Sequence, residues 1–352
     1  MKFIHVADMH FDKPFTILEK NGLAEKRRLE QRDVFNKMIK HIKENCIDYL
    51  FIVGDLYEHE YIRKSTIEYI NNSFKEIPNT KIYITPGNHD PYINNSYYSK
   101  YNWSENVRII TKLQKFEEKD IDIYGYGFTD FFSEGIEVPS RLNKQKINLL
   151  IMHADLNGSN KEIGEYNPIL ESRLKESEFD YIALGHIHKK NMDDLKMVYP
   201  GSMLSGGFDE LGSHGMIKGE INNQTKEVET KFITLDNKEF VKQEYDISSI
   251  FSEEEIIEKL NSISTEEDKY YEYILIGDRN IEIDTNKILR NIEDKKVIKI
   301  KDNSKFKYDL EGISKEKNLR GIFVNEFLTQ IKEDGSNKDE ILKMIEIGLN
   351  AM

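Results

Sequence analysis

Ile182-Ala183-Leu184-Gly185-His186-Ile187-His188 is the stretch on which the reading of this chain turns. The apolar run reads as a buried strand, and Gly185 stops it. Two histidines follow, one residue apart. On a continuing strand they would share one face. On a loop just past the strand, the two rings can splay and serve two neighbouring metal ions. A lone His-x-His pair is weak evidence for metal, because inert surface pairs of this kind are common. It gains weight only if other strands bring carboxylates and imidazoles to the same place.

Four more apolar runs end in such residues. Residues 2–7 lead into Asp8-Met9-His10, 48–53 into Gly54-Asp55, 81–85 into Pro86-Gly87-Asn88-His89-Asp90, and 147–152 into His153-Ala154-Asp155. Between them, helical spacing marks residues 25–44 (Phe35, Met38, Ile39, Ile42) and 63–76 (Ile67, Ile70, Phe74, Ile77). A third helix is predicted near 168–178. Further strands are predicted at 107–110, 121–126, 197–199, 215–221 and 230–235, with Asn222-Asn223 turning between the last two. Strands alternating with helices make this an α/β chain. In such folds functional residues gather beyond the carboxyl ends of the strands.

The candidate ligands are therefore Asp8, His10, Asp55, Asn88, His153, His186 and His188. Carboxylate, amide oxygen and imidazole without thiolate suit Mn, Fe(II) or Zn better than Ca, and disfavour a structural zinc cage. These residues are too many for one octahedral ion that must also hold water and substrate. They suit two ions sharing one carboxylate. Two ions about 3.5–4 Å apart supply a hydroxide nucleophile and clamp a phosphoryl oxygen during in-line displacement. The chemistry inferred is phosphoester hydrolysis.

In this order, Asp-x-His, Gly-Asp, Gly-Asn-His-Asp, His and Gly-His-x-His resemble the calcineurin-like metallophosphoesterase superfamily, over residues 1 to about 235. The resemblance implies a sandwich of two mixed β-sheets flanked by helices. It implies that Asp8, His10, Asp55 and His188 hold one metal, and that Asp55, Asn88, His153 and His186 hold the other. Asp55 would be the bridge. His89 would steady the transition state and protonate the leaving oxygen, with Asp90 orienting it.

A narrower resemblance is to the SbcD-type DNA repair nucleases. It rests on Ala7-Asp8-Met9-His10, Gly54-Asp55-Leu56-Tyr57, Gly87-Asn88-His89-Asp90-Pro91, residues 180–188, Tyr199-Pro200-Gly201-Ser202 and Gly207-Phe208-Asp209-Glu210. It implies a dimeric, Mn²⁺-dependent nuclease that works on DNA with an SbcC-type coiled-coil ATPase. The expected division is a nuclease domain at 1–235, a small α/β capping domain at 236–305, and a C-terminal segment at 306–352 that docks on the ATPase. The last segment reads as two amphipathic helices split at residues 334–337. Many relatives carry histidine three residues after the bridging aspartate; here that position is Glu58, and His59 follows. Either His59 takes the role after a one-residue shift, or this chain differs. We favour a real difference.

Composition bounds the rest. The chain has 352 residues, room for two domains, and a formal net charge of −13. That charge argues against coating nucleic acid by bulk attraction, though not against a nuclease whose metals carry local positive charge. The single cysteine, Cys46, excludes an internal disulfide and is expected to be a buried, inert thiol. No leader or membrane span is read, so the expected compartment is the cytoplasm. No Gly-x-x-x-x-Gly-Lys-Ser/Thr phosphate loop is present, so the chain carries no evident ATPase of its own.

Plainer readings stand beside these. His5 is expected to be a packed core residue, His41 a solvated helix residue and His214 a turn residue. Arg27, Arg28 and Arg32 read first as a solvated helix face paired with Glu25 and Glu30, and second as phosphate contacts. Tyr97, Tyr98, Tyr101 and Trp103 read first as loop packing or a dimer contact, and second as base-stacking groups. The leading hypothesis is a two-metal nuclease that serves an ATPase-linked repair complex. A phosphomonoesterase or small-molecule phosphodiesterase is the alternative within the same chemistry. A metal-stabilised adaptor without catalysis is the third, and the intact His89 argues against it.

Overall fold

Tyr49, Phe51 and Val53 enter one core, while Leu50 and Ile52 point the opposite way and are equally buried. A strand buried on both faces must lie inside a layered α/β structure. The computed structural model describes residues 1–19, 22–140, 142–158, 165–333 and 337–352, and bears this out. The chain opens with β1 (Lys2–Val6), α1 (Leu23–Glu44), β2 (Tyr49–Val53), α2 (Lys64–Lys75), β3 (Lys81–Thr85), a short α3 (Tyr97–Lys100) and β4 (Val107–Ile109). β1 to β4 are parallel neighbours. The next run is β5 (Gln114–Glu117), β6 (Ile121–Tyr126), β7 (Ile147–His153), the two-residue pair β8 (Asp155–Leu156) and β9 (Pro168–Ile169), α4 (Glu171–Lys175), β10 (Tyr181–Gly185), β11 (Asn191–Asp194) and β12 (Met197–Tyr199). Finally β13 (Gly215–Ile221) runs antiparallel to β1, and β14 (Val228–Thr234) antiparallel to β13.

Two mixed six-stranded sheets result, ordered β14-β13-β1-β2-β3-β4 and β11-β12-β10-β7-β6-β5. They pack face to face. Phe3, Phe51 and Tyr83 of the first share a core with Ile123, Leu149, Ile151, Tyr181 and Ala183 of the second. On the outer side of the first sheet α1 and α2 meet through Phe35 and Phe74, ring centroids 6.0 Å apart, and Phe11 packs edge-on against Phe35. On the outer side of the second, Leu150, Met152, Ile182 and Leu184 pack with Leu174 and Phe179.

The structure corrects several expectations. β5 and β11 carry no apolar signal in the sequence: both are charged edge strands of the second sheet, with every other residue exposed. The helix expected near 168–178 shrinks to Glu171–Lys175, because Pro168–Ile169 pairs with Asp155–Leu156. Cys46 is exposed, not buried: α1 ends at Glu44, and Cys46 sits at φ +50° in the turn beyond it. Arg27 is no solvated residue. It is fully buried, with its guanidinium on both Asp236 carboxylate oxygens, on Glu30 and on the Ser205 carbonyl. His214 is buried and bonded to Ser202 and the Glu210 carbonyl.

The chain divides into two compact units, Met1–Phe240 and Val241–Met352. The second has its own sheet, ordered β15-β16-β18, from β15 (Glu239–Asp246), α5 (Glu253–Asn261), β16 (Lys269–Ile276), β17 (Asp278–Arg279), α6 (Thr285–Arg290), β18 (Val297–Asp302) and β19 (Lys305–Phe306). Ile256 and Leu260 of α5 and Ile288 of α6 cover Tyr271, Tyr273 and Leu275. α7 (Leu310–Ile313), α8 (Leu319–Glu333) and α9 (Lys338–Ala351) pack through Ile313, Val324, Ile341 and Ile345. Of the break expected at 334–337, residues 334–336 lie outside the described residues. No described helix is long and apolar enough to cross a membrane.

Candidate metal centre

Parallel pairing aligns the carboxyl ends of β1, β2 and β3, and register pairs Gly185 of β10 with His153 of β7. The residues just past these ends converge. The backbone there is forced: Asp8 (φ +52°), His10 (+48°), Asp55 (+52°) and His186 (+103°) all lie in the region that side chains avoid. Such strain costs on the order of 1–3 kcal/mol per residue and persists only where the surroundings impose it. Close approach also dictates composition. A Cβ on Gly54 would lie 1.9 Å from His153 Nδ1, and one on Gly87 2.2 Å from Asp55 Oδ1.

Asp8, His10 and His188 present ligand atoms within 4.8 Å of one another, and so do Asp8, Asp55 and His153. Asp55 Oδ2 stands 3.7 Å from His10 Nε2 and 3.4 Å from His153 Nε2, between the two groups. Asn88 Oδ1 is 2.9 Å from His153 Nε2. The His186 ring lies beside that of His153, centroids 5.2 Å apart, and its backbone N–H donates to Asp8. Tyr166 also packs on the His186 ring. Asp8, Asp55 and His153 are essentially without solvent contact.

The hydrogen bonds settle which nitrogens face inward. Glu58 Oε1 lies 2.8 Å from His10 Nδ1, and Glu210 Oε1 lies 2.6 Å from His188 Nδ1. Both carboxyls are held below the ordinary range: burial opposes this, and their imidazole partners outweigh it, taking Glu58 to about 2. An ionised carboxylate only accepts, so each ring carries its proton on Nδ1. The two Nε2 atoms then face each other across 3.0 Å. That spacing suits a cation held by both. Two nitrogens ligating one ion at right angles, each about 2.1 Å from it, lie roughly 3 Å apart. His153 repeats the pattern, with Nδ1 on the Val53 carbonyl at 3.1 Å and Nε2 facing the oxygens of Asn88 and Asp55. The donor set therefore fits divalent metal.

His89 is placed at the rim, its side chain 46% exposed. Its backbone N–H donates to Asp55 Oδ1, and its Nδ1 sits 2.9 Å from Glu58 Oε2. Burial alone would lower its pKa; the Glu58 bond and the charge of Asp55 outweigh that and raise it to about 9. The expected role of Asp90 needs correction. Its carboxylate accepts from the backbone of Gly87, Asp55 and Leu56 and from the Tyr98 hydroxyl, so it shapes the loop while Glu58 holds the His89 ring. Burial and the charge of Asp55 push its pKa up to about 7. The His59 ring packs on Phe131, centroids 5.8 Å apart, while Glu58 holds the His89 ring. Tyr98 and Trp103 are packing groups, ring centroids 5.9 Å apart.

Glu210 has no role in the sequence reading, although it closes the Gly-Phe-Asp-Glu motif. Nothing local marks it: its partners are His188, the Ser202 hydroxyl and the Gly206 N–H.

A sequence model of the calcineurin-like phosphoesterases matches residues 1–190. The chain belongs to that family. The expected sandwich of two mixed sheets is the fold observed, and the family's chemistry is metal-dependent phosphoester hydrolysis. Among curated relatives, the SbcD component of the SbcCD nuclease of Staphylococcus epidermidis is 26% identical over 251 residues, covering 60% of this chain and 63% of that one. The uncharacterised metallophosphoesterase YhaO of Bacillus subtilis is 24% identical over 241 residues, covering 63% and 58%. The chain thus spans about three fifths of the length of these relatives. A solved structure, TT1561 of Thermus thermophilus, aligns at 11% identity and a TM-score of 0.39, over 66% of this chain and 98% of that one.

Proposed function

We propose that this chain is a Mn²⁺-dependent DNA phosphodiesterase, the nuclease of an end-processing complex with an SbcC-type ATPase. The single observation that carries the hydrolytic reading is Asp55, whose Oδ2 stands between His10 Nε2 and His153 Nε2, with His89 bonded to it at the open rim. One group would be Asp8, His10, Asp55 and His188; the other Asp55, Asn88, His153 and His186. Bound ions supply Lewis acidity at the phosphoryl group and a water of low pKa. The protein's own part is positional. Asp8 and Asp55 fix the ligand spacing, Glu58 and Glu210 fix the tautomers, and His89 stands where a leaving group departs. As the water oxygen bonds to phosphorus and the ester P–O bond breaks, the proton on His89 Nε2 passes to the leaving oxygen.

The nucleic-acid and partner assignments rest on other support. The SbcD-type motifs and the 26% identity to a component of the SbcCD nuclease favour DNA. Leu319, Ile322, Met344 and Ile347 are exposed apolar residues on α8 and α9, as helices that dock on a partner require. A local basic surface, the chain's own or the partner's, would offset the charge of −13 where DNA binds.

The test uses chelator-stripped protein with Mn²⁺ restored, acting on end-labelled duplex, single-stranded circle and a chromogenic phosphodiester. DNA cleavage that needs Mn²⁺ and falls about 10²–10⁴-fold in His89→Ala is expected. Cleavage of the small diester alone, even with the ATPase present, overturns the nuclease assignment and favours a small-molecule phosphodiesterase.

A further inference from the structure

We propose that Glu58 is a positioning residue that couples the proton donor His89 to the first metal site; this rests on the roles given above to His10 and His89. Its two carboxylate oxygens are divided between two imidazoles. Oε1 takes the Nδ1–H of His10 at 2.8 Å, and Oε2 takes that of His89 at 2.9 Å. The two rings stand edge to face, centroids 4.8 Å apart at 85°. The carboxylate is held from behind. The Glu58 N–H donates to the Phe11 carbonyl, and its own carbonyl takes the N–H groups of Tyr61 and Ile62. Its side chain is only 13% exposed, so the link sits out of reach of most solvent.

The consequence follows from counting donors and acceptors. A metal on His10 Nε2 obliges that ring to keep its proton on Nδ1. A His89 that gives up a proton from Nε2 must likewise keep one on Nδ1. Two N–H donors need two acceptors, and only a carboxylate offers one on each arm. Glu58 neither gains nor loses a proton in the step. It holds His89 at the orientation that the filled metal site sets through His10. A histidine at this position could not accept two such bonds, so the glutamate changes the linkage and not merely the charge. Glu210 is the natural comparator, because it holds His188 Nδ1, and its hydrogen bonds go to neither His10 nor His89.

The experiment compares Glu58→Gln, Glu58→Ala and Glu210→Gln in the full chain. Glutamine has one acceptor and one donor arm, so it can serve only one ring. Mn²⁺ affinity is read by calorimetry, and the histidine nitrogens by ¹⁵N NMR of protein reloaded with diamagnetic Zn²⁺. Glu58→Ala and Glu210→Gln are both expected to weaken one Mn²⁺ site about 10–100-fold. In Glu58→Gln the His89 Nδ1–H signal is lost or moves, while in Glu210→Gln it stays. With saturating Mn²⁺ and a chromogenic diester, Glu58→Gln is expected to lower kcat about 10²-fold with little change in KM. An unmoved His89 signal in Glu58→Gln, or a His89 shift of equal size in Glu210→Gln, overturns the coupling. Failure of wild-type protein to bind Mn²⁺, or His89→Ala with undiminished kcat, would instead overturn the underlying assignment of the site.

Discussion

Asp55 carries more of this site than any other residue. One oxygen lies between the two ligand groups while the other receives the His89 N–H. Asp55→Asn keeps the second function and weakens the first. It is expected to reduce Mn²⁺ affinity about 100-fold or more, beyond the 10–100-fold typical of an outer partner, which calorimetry would read directly. His5 makes the opposite kind of prediction. It is fully buried, with Nδ1 on the Tyr181 hydroxyl and Nε2 near the Leu184 carbonyl. Burial lowers its pKa from 6.5 to about 3, only partly opposed by the Leu184 bond. The unfolded chain therefore takes up a proton between pH 6.5 and 3 that the folded one refuses. Stability is full above pH 6.5 and falls as the pH drops, by about 1.4 kcal/mol per unit. In His5→Gln this contribution is absent, so its stability relative to wild type should improve by about 2 kcal/mol between about pH 7 and pH 5. Urea unfolding at both values checks this; a constant difference would contradict it.

At the scale of elements, the strand ends work because glycines let two strands and a ring come within contact distance. Gly54 follows β2 at φ +82°, with His153 of β7 against it. Gly54→Ala adds a methyl where there is no room and a conformation that alanine resists. Overpacking costs typically about 1–3 kcal/mol and left-handed backbone about 1–2 more, so a loss of roughly 2–5 kcal/mol is expected. His153 must shift as well, so Mn²⁺ binding should weaken in the same variant. Wild-type affinity in a folded Gly54→Ala protein would show that the ring has slack. Helix α1 has a comparable dependence at its buried start. Arg27 and Asp236 are bonded across 209 residues of sequence. Removing either leaves a buried charge without its partner, a change worth about 3–5 kcal/mol.

For the whole molecule, the two compact units have separate cores, and the ligand groups all lie in Met1–Phe240. Mn²⁺ should therefore stabilise one unit only. At a free concentration about 100 times its Kd, one bound ion adds about 2.7 kcal/mol. Calorimetry with Mn²⁺ and with chelator should show one transition moving and one staying. Two transitions that move together by equal amounts would mean that the units do not unfold independently.

Five strands, the main helices and the candidate ligands were legible in the sequence because their signals are local. Apolar runs mark β1, β2, β3, β7 and β10, and each ligand follows its strand within a few residues. What the sequence left open depends on groups brought together from far apart. Glu58 against His89 spans 31 residues, and Glu210 against His188 spans 22. No periodicity announces that a carboxylate will meet an imidazole's far nitrogen, so only the folded chain could show Glu58 holding two rings and Asp90 holding none. Arg27 is hidden from the sequence in the same way. A charged residue on a helix surface is solvated by default, and only a buried acid from the far end of the unit makes its burial tolerable.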